Sequence, residues 1–131
     1  MITVNKSVID EIIEYAHSKL PIEACGYLAG NDDTISKWYG LTNIDNSSEH
    51  FSFDPKEQFA TVKDARSNGL QILANFHSHP ETPARPSVED IKLAYDSNIL
   101  YFIISFAEII PDVKAFKIIN GTVEKIEIKI I

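Results

Sequence analysis

The sequence predicts a mixed α/β fold: one domain over residues 1–131, with a central mixed β-sheet flanked by about three helices. Three observations carry that reading. Segments with helical apolar spacing alternate with short segments rich in strand-forming residues. The run Ile99 to Phe106 is apolar on both faces, which suits the middle of a sheet covered on both sides. Asn120-Gly121 joins two apolar-alternating segments, the strongest short hairpin signal.

Taken in order, a first helix starts at Asn5 or Ser7, either of which can cap it, and runs to about Leu20. Val8, Ile9, Ile12, Ile13, Ala16 and Leu20 form its apolar face, and Pro21 stops it. Ala24 to Ala29 reads as a strand, residues 30–33 as a turn, and Thr34 to Leu41 as a second strand. Residues 43–49 are polar and read as a loop, with a short strand over His50 to Phe53. Asp54-Pro55 opens a second helix, with Glu57 placed to complete a capping box and Phe59, Val62 and Ala65 as its buried stripe. Asn68-Gly69 ends it. Leu70 to Phe76 is a strand, Ser87 to Asp96 a third helix, and Ile99 to Phe106 the strand apolar on both faces. Val113 to Ile119 and Thr122 to Ile130 form the final hairpin.

Composition narrows the function. The chain has 131 residues, 44% hydrophobic and 24% charged, an ordinary globular balance large enough to bury a core without staples. A net charge of −7 and the absence of any Lys/Arg cluster argue against nucleic acid as a partner. No apolar run reaches the ~20 residues of a membrane span. The single cysteine, Cys25, excludes an internal disulfide and a cysteine-rich zinc site, and with no signal-peptide pattern at the start it points to the cytoplasm. Inside an apolar strand, Cys25 reads as a small core residue rather than a nucleophile. His17 and His50 have ligand spacing to nothing and read as structural.

The chemistry lies between His77 and Asp90. Side chains on a strand alternate faces, so His77 and His79 project to one side, where Pro80 ends the ladder. Pro80, Pro83 and Pro86 stiffen the connection to a helix start at Ser87, and Asp90 follows three residues later on the same side. Two imidazoles and one carboxylate, with a fourth position left for water, describe a catalytic zinc site holding one Zn2+ per chain. Hydrolysis there needs a general base, for which Glu23 is the candidate, and an oxyanion donor, for which Ser87 is. Singly the signals have plainer readings. Ser87 and Asp90 make a good helix N-terminus, an isolated His-x-His pair can be a solvated face, and Glu23 alone would be a surface acid. Their joint spacing is far more specific than any part.

Glu23, His77-x-His79-Pro80, Ser87 and Asp90 together resemble the JAMM (MPN-plus) metallopeptidase motif, with every position occupied. Residues 23–30, Glu-Ala-Cys-Gly-Tyr-Leu-Ala-Gly, are similar to the glutamate-bearing strand of its bacterial members. The resemblance implies a cytidine-deaminase-like (JAB/MPN) fold. It implies His77, His79 and Asp90 as zinc ligands, Glu23 as acid/base and Ser87 as oxyanion donor. Its substrate class would be a peptide or isopeptide bond after the C-terminal Gly-Gly of a ubiquitin-like protein. The chain lacks the long insertions with which eukaryotic deubiquitinases grip a second ubiquitin, which favours a small sulfur carrier of the ThiS/MoaD kind as partner. An extended carrier tail could add as a strand beside a sheet edge near the metal. The alternative is a non-catalytic MPN scaffold that only binds partners, but such scaffolds have lost one or more ligands. A zinc deaminase expects a Pro-Cys-x-x-Cys pair, which one cysteine excludes. The sequence is silent on oligomeric state.

Overall fold

The computed structural model describes residues 1–131 as an eight-stranded mixed sheet with three helices. The elements are β1 (Ile2–Val4), α1 (Lys6–Lys19), β2 (Cys25–Asn31), β3 (Thr34–Leu41), α2 (Pro55–Ser67), β4 (Gln71–His79), α3 (Val88–Lys92), β5 (Leu100–Ser105), β6 (Asp112–Ile119), β7 (Thr122–Ile126) and β8 (Ile128–Ile130). Strand order is β7-β6-β5-β4-β2-β3-β1-β8. The β4–β5, β1–β3 and β1–β8 pairs are parallel and the others antiparallel.

The predicted final strand divides at Glu127. Ile126 pairs with Ala115 in β6, whereas Ile128 pairs with Ile2 in β1, at the opposite end of the sheet. One residue therefore links the two edges, so the sheet must curl until its ends meet, and the Glu127 carbonyl accepts a 2.9 Å bond from Ile2 N–H. β1 itself escapes sequence reading because three residues are too few for a period to emerge.

The predicted face of α1 packs onto this curled sheet. Val8, Ile9, Ile12 and Ala16 join Leu28, Ile35, Phe76, Phe102 and Ile104 in the main core. A second cluster on the other face holds Tyr101, Ile103, Phe116 and Ile118. β5 thus contributes alternate residues to two cores, as its two-sided apolar sequence predicts. Asn120 (φ 51°) and Gly121 (φ 79°) make the expected hairpin turn, both in the left-handed region.

Three local expectations fail for physical reasons. Residues 50–53 form no strand; a lone bridge from Asn43 to Phe53 is all their pairing, since the polar loop before them cannot lay down a ladder. Asp54 caps α2 through Lys56 N, but Glu57 instead accepts a bond from Thr42 N, so no capping box forms. Phe59 is 73% exposed, and Thr61 and Ala65 face inward, because α2 meets the sheet through a narrower stripe than its apolar residues suggest. No helix is long and apolar enough to cross a membrane.

At Gly26 two strands and a ring crowd together. A Cβ there would run into the Tyr39 carbonyl oxygen and the Phe76 ring, neither of which can move away cheaply. Gly26→Ala is expected to lower the free energy of unfolding by about 3 kcal/mol, read as a shifted denaturant midpoint at unchanged m-value.

Candidate metal and catalytic site

β4 runs straight through His77 and His79 before Pro80 ends it, so both side chains sit on one face at the mouth of the sheet. Pairing on both flanks holds them: His77 lies opposite Cys25 of β2 and Ile103 of β5, and His79 opposite Ser105. The loop that follows is pinned rather than free. His79 Nδ1 donates to the Pro83 carbonyl at 2.9 Å, Ser105 Oγ donates to the Thr82 carbonyl at 2.6 Å, and Ala84 is buried.

This loop delivers Ser87 to the N-cap of α3, where a complete capping box forms. Ser87 Oγ accepts from Asp90 N at 3.0 Å, and Asp90 Oδ2 accepts from Ser87 N at 2.9 Å. The helix is shorter than expected, ending at Lys92, but it needs only one turn to present Asp90. The plain and functional readings of Ser87 and Asp90 therefore coexist in the same atoms.

Three atoms converge. His77 Nε2 lies 3.1 Å from His79 Nε2, and Asp90 Oδ2 lies 3.2 Å and 3.0 Å from the two rings. Donors at ~2.0–2.1 Å from a tetrahedral zinc stand roughly 3.3–3.4 Å apart. The observed spacings come within a few tenths of an ångström of that, and two imidazoles with one carboxylate are donors zinc accepts. The residues thus fit such an ion. Burial works to raise the Asp90 pKa, but hydrogen bonds from His77 and His79, the charge of His77 and the bond from Ser87 N–H hold its carboxyl well below the usual range. For His79, burial pulls downward, but bonds to Asp90 and Pro83 and the charges of Asp90 and Glu23 leave its pKa raised.

Glu23 sits at the entry to β2, 4% exposed. Ser78, between the two histidines but on the opposite face, fixes it there: Ser78 Oγ accepts from Ala24 N at 2.8 Å and Ser78 N donates to Ala24 O at 3.0 Å. Glu23 Oε1 is buried without a hydrogen-bond partner. Burial pushes its pKa up to about 8, while the His79 charge pulls it down and Asp90 pushes it further up. A carboxyl poised near neutral pH within electrostatic reach of the cluster has the properties of a general base.

Three further contributors were not singled out from sequence: Ser78, Phe51 and Asn43. The Phe51 ring stacks on His77 with centroids 4.7 Å apart, orienting an imidazole whose Nδ1 has no partner. Asn43 ties the 43–53 loop to Glu23, its Nδ2 donating to the Glu23 carbonyl at 3.1 Å and the His50 carbonyl at 3.0 Å. An aromatic beside polar residues and an Asn at a loop start are too common to read without coordinates. Cys25 is fully buried, its thiol pushed up to about 12 by burial and by the charges of Glu57, Glu23 and Asp45, so it is no nucleophile. His17 packs edge-on against Phe106, and His50 pairs with Asp45 at 3.1 Å, both outside the cluster.

The family model for prokaryotic homologues of the JAB domain matches residues 5–118, and the chain belongs to that family, the prokaryotic branch of the JAMM/MPN-plus proteins. A solution structure from Desulfitobacterium hafniense is 48% identical with a TM-score of 0.93, covering 100% of this chain and 93% of that one. The CysO-cysteine peptidase of Mycobacterium tuberculosis is 24% identical, with 100% of this chain aligned to 92% of it. The desampylase of Pyrococcus furiosus is 32% identical over 75 residues, which are 57% of this chain and 54% of that protein, so the match spans about half of the relative's length.

Proposed function

We propose that the protein is a zinc-dependent peptidase or isopeptidase, acting in the cytoplasm as one catalytic domain over residues 1–131. Its substrate would be the bond after the C-terminal Gly-Gly of a ubiquitin-like sulfur carrier. The observation that carries this reading is the convergence of His77, His79 and Asp90, with a buried carboxyl, Glu23, whose Oε1 has no hydrogen-bond partner. The peptidase names of its relatives support it.

His77 Nε2, His79 Nε2 and Asp90 Oδ2 would hold one zinc ion. When bound, zinc supplies Lewis acidity toward a carbonyl and lowers the pKa of water to roughly 7. Glu23 Oε1 takes a proton from the attacking water and returns it to the leaving nitrogen, so the C–N bond breaks with hydroxyl added to carbon and hydrogen to nitrogen. Ser87 Oγ already accepts from Asp90 N, which leaves its O–H free to donate to the oxygen that becomes negative. Asp90 is kept ionised chiefly by its bonds to His77 and His79, and the Ser87 N–H orients it.

Purified protein incubated with carriers extended beyond Gly-Gly is expected to trim them immediately after the second glycine, seen as a single mass loss by intact-protein mass spectrometry. Carriers that all keep their full mass would contradict the substrate class.

A further inference from the structure

Beside His77 the structure carries a cavity of about 360 Å³, the size of a pocket that takes part of a ligand. It runs from His77 and Asp90 along the sheet face, away from the metal cluster, and Asn75 forms part of its wall. Asn75 lies two residues before His77 on β4, on the same face, opposite Tyr27 of β2 and Tyr101 of β5. The three side chains make one row across three strands, with Phe53 packed on Tyr27 at 4.9 Å.

Asn75 is only 9% exposed and its Oδ1 has no hydrogen-bond partner. A carboxamide oxygen left unpaired inside a fold is a cost, since buried polar groups are almost always paired. The oxygen is enclosed as the side chain stands, but no hydrogen bond of that oxygen has to break for the carboxamide to turn and present it to the cavity. Nothing in the packing requires a polar side chain between two tyrosine rings; leucine has nearly the same volume. The cavity wall also carries Glu89, Asp90 and Asp96 but no lysine or arginine, so an acidic occupant is repelled and an uncharged or basic one is not.

We propose that this cavity is a subsite for the substrate chain and that Asn75 Oδ1 accepts a main-chain N–H of the scissile tail. Residues i and i+2 of a strand are about 7 Å apart, so an extended tail reaching from the cluster to Asn75 places that N–H about two residues from the scissile bond. Both flanks of β4 are already paired, so the tail cannot add to β4 as a strand; a side-chain amide takes over that anchoring. The inference rests on the peptidase reading for its substrate, yet binding tests it apart from turnover.

The test uses zinc-loaded wild type and Asn75→Leu with a set of carrier-tail peptides, each N-methylated at one backbone nitrogen, read by cleavage and by fluorescence anisotropy. Asn75→Leu is expected to raise KM and the Kd about tenfold with kcat within twofold. At one backbone position, methylation should weaken wild-type binding by a similar factor yet cost the variant nothing more. Thermal melting supplies the second readout: if the unpaired amide serves a ligand, Asn75→Leu melts higher than wild type, whereas a structural asparagine would melt lower on replacement. Turnover without any methylation penalty coupled to Asn75, or a lower Tm in the variant, overturns the subsite. Coupled binding without turnover sustains the subsite and overturns the hydrolase. Neither binding nor turnover overturns both.

Discussion

Glu23→Gln is expected to lower kcat by about 10³-fold, within the range general acid/base groups supply, while the protein keeps its zinc. The substitution preserves shape and removes only the capacity to take and return a proton. Its effect on stability has a definite sign. The folded pKa of about 8 lies above the ordinary glutamate value near 4.5, so between those values the native state holds a proton that the unfolded chain has released. Unfolding then releases protons, and stability falls as pH rises through that window. The raised pKa of His79 acts in the same direction above its ordinary value of 6.5. Asp90 acts oppositely but lower: its depressed pKa contributes stability above about pH 3.8 that is lost on acidification. In chelator-treated protein, melting temperature should therefore decline from pH 5 to pH 8, and Glu23→Gln should flatten that decline. An active Glu23→Gln protein would remove Glu23 from the mechanism.

Removal of the metal is the other large effect. Chelation is expected to abolish turnover and to lower the melting temperature by about 10 °C, the shift a ligand near 100 times its Kd gives a domain of this size. Zinc should restore both in wild type. In His77→Ala it should restore neither, because the remaining imidazole and carboxylate cannot close around an ion in a three-ligand site. His77 is buried, with the Phe51 ring stacked on its imidazole. If that variant unfolds, Asp90→Asn tests the same point at a less buried ligand with little change in shape.

How much of this was legible in the sequence depends on the range of the signal. The HxHP spacing is local, strand alternation fixes its geometry, and the proline-stiffened loop places Ser87 and Asp90 within a turn of helix. These residues therefore meet in the fold as the sequence predicts. The two-sided strand β5 and the Asn-Gly hairpin are likewise local statements about burial and φ. Glu23 was named as a candidate base, but its approach to the cluster was not legible, because that depends on Ser78 stitching Ala24 to β4 across 54 residues of chain. The division of the last strand at Glu127 was invisible, since alternation continues through it and only the curl of the whole sheet decides that β8 pairs with β1. Asn75 shows a different limit: as a letter in a strand it is unremarked, and only a buried unpaired oxygen on a residue that lines a cavity marks it.

Zinc content is the most direct measurement. Elemental analysis after gel filtration should find about one zinc per chain in wild type and in Glu23→Gln, and almost none in His77→Ala and Asp90→Asn. Equal zinc in all four proteins, or none in the wild type after exposure to zinc, would contradict the site on which the account depends.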